Sequence, residues 1–375
     1  MLTVFNFSFA DKAPDIQLVA RSVFEPRQLA VCGAGGAVPD AAGGIMINPA
    51  TSLDWFLAEG HAVQPGIAYG RSGLFQSNQI STTTGFMSGE NTAIIARYAF
   101  LDNGNGNHAN CITTTFSGLL GGEKLNAGSI FSGLSIHYVS SVWKNPNDPL
   151  NDTSTGDTLY KATFNPSSST TKMTENRFTC DLGLFQTDFA QGFNFGIVCT
   201  DLIGYSFGRN PYGQNLDTIS THKDSATSTN IIHIRRDSVF ETGDKKFSGI
   251  IKSDRTDRAL TLSASWNHDF KKVHVTVPFD FSFLDLFDGQ KGWTQGIRCG
   301  AEMMIADLVC LRGGWSRTPQ KLIDGRDGDL VNRFSGGGGI YIPKGCIDFA
   351  IVSDGFSVAL RGFFGGTKAA EEKNQ

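Results

Sequence analysis

No run of about 18 apolar residues occurs anywhere in the 375-residue chain, so the sequence offers no transmembrane helix. Charge is scarce too: 18% of residues are Asp, Glu, Lys or Arg, against about 25% in an ordinary soluble domain. The charge that is present is not basic. A formal net charge of −4 gives no electrostatic case for nucleic acid. The seven cysteines (Cys32, Cys111, Cys180, Cys199, Cys299, Cys310 and Cys346) contain no C-x-x-C pair and no Cys–His spacing suited to zinc. Several fall at alternating apolar positions, where Cys acts as a small hydrophobe. The histidines are scattered, with no two at metal spacing on one face. There is no Gly-x-Ser-x-Gly motif, and no carboxylate pair can be assigned to a pocket. The sequence therefore makes no case for an enzyme and none for a cofactor. The run Cys32-Gly33-Ala34-Gly35-Gly36-Ala37 lacks the strand–helix–strand unit and downstream acid of a dinucleotide site. The Asp-rich turns at 102–107 and 324–329 lack the remaining ligands of a calcium loop.

What is present is glycine (44 residues) and phenylalanine (29), a mixture that favours strands and turns over helices. Period-two alternation recurs along the chain. Ile94, Ala96, Tyr98 and Phe100 alternate with Ile95, Arg97 and Ala99. Leu134, Ile136 and Tyr138 alternate with Ser135 and His137. Val273, Val275, Val277, Phe279, Phe281 and Phe283 alternate with His274, Thr276, Pro278, Asp280 and Ser282. Such runs reach about 10 residues, the length of a membrane-crossing strand, whereas soluble strands cluster near 5–6. A mean hydropathy of −0.14 suits a barrel whose polar lumen cancels its apolar outside. The polar stretches 144–157 and 206–229 read as long external loops. Further strands are expected near Ile231–Phe240 and Phe247–Lys252. The pattern predicts an all-β, up-and-down antiparallel transmembrane barrel of about 14 strands.

One stretch differs from all this. Residues 27–53 are small and glycine-rich, and end in Asn48-Pro49-Ala50, where Asn48 is placed to cap a short helix expected over 49–57 with Pro49 at its first position. The residues Arg27, Gly33, Gly35, Gly36, Ala37, Asp40, Asn48, Pro49, Ala50 and Leu53 resemble the N-terminal hatch of FadL-type outer-membrane barrels, with the PorV/PorQ-like branch as the nearest pattern. The C-terminal third adds to the likeness. Gly300-Ala301-Glu302 followed by Leu311-Arg312-Gly313-Gly314-Trp315, then Gly336–Gly339 and Asp348-Phe349-Ala350, resemble the paired closing strands of that branch. The middle of the chain matches in pattern only.

The domain reading follows. Residues 1–10 are expected to be the remnant of a signal peptide, 11–57 a hatch inside the lumen, 58–364 an outer-membrane barrel and 365–375 a disordered tail. Alternation aims Arg298, Glu302, Arg312, Asp348 and Arg361 at the lumen, since an Arg or Lys against lipid costs about 2–4 kcal/mol at the midplane. Glu302, Arg312, Asp348 and Arg361 are expected either to form a network that holds the hatch or to stand as separate solvated charges. Arg27, Gly35, Gly36, Asn48, Pro49 and Ala50 are expected either to anchor the hatch or to line a ligand path. The resemblance implies a bacterial outer-membrane protein in contact with outer-membrane lipid, and two functions. One is protein export or surface attachment of the type IX secretion kind, with exported proteins or secretion components as partners. The alternative is a FadL-type channel for long-chain fatty acids or other hydrophobic small molecules.

Overall fold

The computed structural model describes residues 25–366 except 60, 73–76, 90, 103–107, 122–127, 145–152, 156–157, 164–171, 224–229, 237–240, 251–257, 285–293, 322–326 and 354. The signal remnant at 1–10, residues 11–24 of the expected hatch, residues 367–375 of the tail expected at 365–375 and most of the loop expected at 144–157 lie outside the described residues, while Gly365 and Gly366 fall in a strand.

Three short helices come first: α1 (Pro26–Ala30), α2 (Ala41–Ile47) and α3 (Thr51–Glu59). The strands follow. The first group is β1 (His61–Ser72), β2 (Ser77–Met87), β3 (Thr92–Asp102), β4 (His108–Gly121), β5 (Ile130–Lys144), β6 (Thr153–Thr155), β7 (Thr158–Thr163), β8 (Lys172–Ala190) and β9 (Phe193–Lys223). The second is β10 (Asn230–Arg236), β11 (Glu241–Ile250), β12 (Ala259–Phe270), β13 (Val273–Leu284) and β14 (Thr294–Ile305). The last is β15 (Val309–Lys321), β16 (Asp327–Ile342), β17 (Gly345–Val352), β18 (Gly355–Gly362) and β19 (Phe364–Gly366).

The sheet closes on itself. Ala68 of β1 pairs with Ser81 of β2 on one side and with Ala359 of β18 on the other. The ring β1–β5, β8, β9 and β12–β18 is a 14-stranded antiparallel barrel. Closure leaves the ring without a free edge strand, which a sheet in lipid requires. Tight turns at 191–192, 271–272 and 343–344 gather at one end, and the long connections at the other. In such barrels the short turns face the periplasm and the long loops face outside.

The two faces sort as the alternation predicts. Ile67, Ile80, Ile112, Ile136, Leu182, Phe279, Leu311, Phe349 and Leu360 point outward, each 42–55% exposed. Their inward neighbours, among them Ser81, Thr113, Ser135, Asp280, Arg312 and Asp348, are buried. A continuous apolar cylinder of this size is untenable in water and natural in a bilayer. Toward the external end, Tyr69, Tyr98 and Tyr138 donate hydroxyl hydrogen bonds to Asn78, Asn110 and Asn176 at 3.1, 2.7 and 2.9 Å. Tyr138 meets Phe178 at a tilt, 4.7 Å between ring centroids, and Phe178 stacks on Phe207 at 6.3 Å. Amphipathic rings in this position form the aromatic belt of a membrane barrel. The protein is a membrane-spanning β-barrel.

One expectation fails. The polar stretch 206–229 is not a loop along most of its length. Strand β9 is 31 residues long and runs on to Lys223, pairing with β8 and β12 at its base and with β11, β7 and β10 higher up. A strand without an apolar face carries no period-two hydropathy signal, so it reads as a loop. The following strands span 230–236 and 241–250 rather than 231–240 and 247–252. Likewise α3 starts at Thr51, and Pro49 lies in the turn before it.

Candidate functional site

Residues 25–59 occupy the lumen, attached to the wall by three kinds of contact. The first is a ladder of alternating charges. Glu25, just before α1, accepts from Arg361 of β18 at 2.9 Å. Arg361 lies 3.4 Å from Asp348 of β17. Arg312 of β15 donates Nη1 to Asp348 at 2.5 Å and Nε to Glu302 of β14 at 2.6 Å. Arg27 of α1 closes on Glu302 with Nε at 2.9 Å and Nη2 at 2.8 Å. The remaining strand of this sector, β16, supplies Tyr341, whose hydroxyl accepts from Arg312 at 2.6 Å and donates to Asp348 at 3.2 Å. Both ends of the ladder are residues of the N-terminal segment, and its three arginines balance its three carboxylates. A buried charge is tolerable only when paired and hydrogen-bonded in this way. Burial works against the Arg27 charge, but Glu302 and Asp40 outweigh it and push its pKa up.

The second attachment is a carboxylate under a turn. Asp280 of β13 accepts from the backbone N–H of Gly35 at 3.0 Å and of Gly36 at 3.3 Å. Successive amides converging on one anion make a strong, directional contact. The chain reaches this turn through Cys32 and Gly33, at φ of 54° and 75°. A side chain at Gly33 would be strained there and would meet Arg298 as well.

The third is close backbone approach at Asn48-Pro49-Ala50. The Asn48 amide donates to Gly36 O at 2.6 Å and to Leu184 O of β8 at 3.1 Å, while its Oδ1 accepts from Ala50 N at 3.1 Å. These residues rest on wall positions that have no side chain. A Cβ at Gly133 of β5 would fall on the Pro49–Ala50 peptide, at Gly183 of β8 on the Asn48 side chain, and at Gly196 of β9 on Gly36 O. The wall is thus shaped to receive the plug.

Around these polar points lies an apolar seam. Ile45, Leu53, Trp55, Phe56 and Leu57 pack with Ile95, Phe131 and Phe185 of the wall. Trp55 meets Phe56 edge-on at 5.1 Å, and Phe131 stacks on Phe185 at 6.0 Å. Asp54 is buried at this seam, and burial pushes its pKa up to about 7.

The structure brings Arg27, Glu302, Arg312, Asp348 and Arg361 together in one ladder. Arg298 stands apart: it donates to Ser282 Oγ at 3.1 Å and pairs across the β13–β14 register with Asp280. Gly35 and Gly36 sit on Asp280, and Asn48, Pro49 and Ala50 sit on the wall glycines. Sequence reasoning missed Glu25, Asp280 and the glycines at 133, 183 and 196. Alternation alone turns Asp280 inward, as it does Glu302. The glycines lie at inward positions of strands, where a missing side chain marks a close approach.

No protein-family model matches the chain, and no curated protein matches it in sequence. Solved structures do match. The CymD monoaromatic hydrocarbon channel superposes with a TM-score of 0.54 at 14% identity, covering 90% of this chain and 97% of that one. The Pseudomonas putida toluene transporter TodX gives a TM-score of 0.54 at 12% identity, again covering 90% and 97%. The chain has a FadL-type barrel fold. At this identity the likeness concerns the fold, and the plug geometry described above stands on this chain's own residues.

Proposed function

We propose that this barrel conducts hydrophobic small molecules across the outer membrane, with the N-terminal plug as its gate. The structural likeness moves the reading away from type IX export and toward the FadL-type alternative, because the neighbours that carry it are described as a monoaromatic hydrocarbon channel and a toluene transporter. The observation that carries most weight is the combination of an apolar seam with polar latches. A hydrophilic pore would need a water-lined passage. Here the plug meets the wall through Ile45, Leu53, Phe56, Phe131 and Phe185, side chains that an apolar solute can replace at little cost. A route to the bilayer is supported at the β13–β14 boundary. The ladder between these strands lapses over Val277 and Pro278, and a small void there is lined by Arg27, Val31, Ala34, Val38, Pro278 and Glu302. Pro278 has no N–H to give to the ladder.

Flux into proteoliposomes tests the reading. Vesicles carrying the protein should take up a labelled aromatic hydrocarbon or alkyl acid faster than empty vesicles, and should exclude sugars of similar mass. Sugar permeation without selectivity, or no uptake above empty vesicles, would overturn it.

A further inference from the structure

The lipid-facing side of the barrel changes character at its external end. Strands β5, β8, β9 and β11 are neighbours there in unbroken register, so their outward positions fall into rows. One row is Tyr138, Phe178, Tyr205 and Ile250, and the next above it is Ser140, Asn176, Phe207 and Ser248. These two rows carry the aromatic belt. Phe178 and Tyr205 are 44% and 43% exposed, and the Tyr205 ring lies 6.4 Å from that of Phe207. The third row is Val142, Thr174, Arg209 and Lys246. In the fourth, Lys144 pairs with Lys172, and Pro211 with Asp244.

Two of these pairings set like charges against each other. Lys144 stands directly opposite Lys172, and Arg209 directly opposite Lys246. Directly opposed residues have Cβ atoms about 4.5–5.5 Å apart, and like charges at that spacing destabilise a sheet. Four cations thus occupy two adjacent rows, with Asp244 the one carboxylate at an outward position of those rows among the described residues. Strand spacing confines them to an area of about 15 by 7 Å. Arg71 and Arg317 are exposed outward cations elsewhere at this end, and each stands singly. Arg71 lies between Asn78 and Phe356, and Arg317 between Ile297 and Asn332.

An anion with several acceptor oxygens offsets such repulsion, and phosphate is the group that lysine and arginine clusters recognise best. The location narrows the choice further. The patch borders the aromatic belt on the side of the wall that faces lipid, so hydrocarbon attached to that phosphate has apolar surface directly beneath it. We propose that Lys144, Lys172, Arg209 and Lys246 form a docking site for a phosphate-bearing lipid of the external leaflet, its acyl chains lying along Phe178, Leu182 and Ile203. The site concerns the membrane around the barrel and does not depend on what the barrel conducts. The bound headgroup offsets the repulsion within both opposed pairs and fixes the height of this sector in the bilayer.

Native mass spectrometry of the full chain released from phosphatidylcholine nanodiscs tests the idea, with lipid A and its dephosphorylated form as competing guests. Several basic residues beside an anionic headgroup should favour the phosphorylated form at least ~10-fold. Added salt should weaken that preference, because the patch lies at the water boundary. Lys144→Gln combined with Arg209→Gln breaks both opposed pairs and should bring the ratio close to one. Arg71→Gln combined with Arg317→Gln should leave it unchanged. Lys172→Gln and Lys246→Gln, taken singly, should each lower the ratio, and they serve if the double patch variant does not fold. Equal retention of the two forms by wild type would overturn the proposal, as would a preference that survives the patch variants or is lost equally in the Arg71/Arg317 control. Displacement of lipid A by an equal concentration of inorganic phosphate would also overturn it, since the site would then take free anion.

Discussion

Replacing Arg312 by Leu removes the centre of the charge ladder. The side chain is fully inaccessible and holds Glu302 at 2.6 Å, Asp348 at 2.5 Å and Tyr341 at 2.6 Å. After the change Glu302 keeps only Arg27, and Asp348 keeps Arg361 at 3.4 Å and Tyr341. Removing one partner of a buried pair costs about 3–5 kcal/mol. The barrel's backbone ladder is untouched, so the loss falls mainly on the docking of α1, because Glu25 just before it and Arg27 within it are the ends of the ladder. A penalty of that size shifts the docked–undocked balance of the plug by roughly 10²–10³ or more, since each 1.36 kcal/mol is tenfold. Planar-bilayer recording should show frequent openings in Arg312→Leu where wild type is closed, and limited proteolysis should cut the plug faster. Because the ladder is buried, raising the salt concentration should not reproduce the effect. Lys344→Ala, at an exposed periplasmic turn, should behave as wild type. If Arg312→Leu leaves opening frequency and proteolysis unchanged, the ladder does not hold the plug.

Three further outcomes follow from the same geometry. Gly133→Ala places a methyl on the Pro49–Ala50 peptide, which cannot turn aside as a flexible side chain would; overpacking of this kind typically costs about 1–3 kcal/mol, so the plug should be cut faster while the barrel keeps its heat-modifiable migration. Asp54 has a folded pKa of about 7 against an ordinary 3.8, so its contribution to stability is fully present below about pH 4 and is lost as pH rises through 7. Asp54→Asn should therefore raise the unfolding midpoint at pH 8, by up to about 4 kcal/mol of stability, and change little at pH 4; equal effects at both values would refute it. Ile136→Arg, on the outward face of β5, should lower folding yield into bilayers at a cost of about 2–4 kcal/mol, whereas Ile136→Leu should not.

The barrel was largely legible in the sequence because lipid and lumen impose opposite chemistry on alternate residues. That alternation turned Glu302, Arg312, Asp348 and Arg361 inward. It could not show that they meet, because partners on different strands are fixed by register, and register depends on the whole ring. The pairing of Arg27 with Glu302 spans 275 positions, and no local pattern carries it. The plug's resting places were hidden for a similar reason. A glycine at 133, 183 or 196 reads as a weak strand residue until the segment packed against it is known. The upper part of β9 was missed because a polar strand has no apolar period to read.

We propose that this barrel handles apolar small molecules in preference to a protein cargo. Native mass spectrometry of the protein, extracted from outer membranes in mild detergent and released from the micelle, tests it most directly. A retained small molecule of defined mass, with a hydrocarbon portion and no protein partner, is the predicted result. A protein partner of defined mass with an empty barrel would contradict the account and return the export reading to first place.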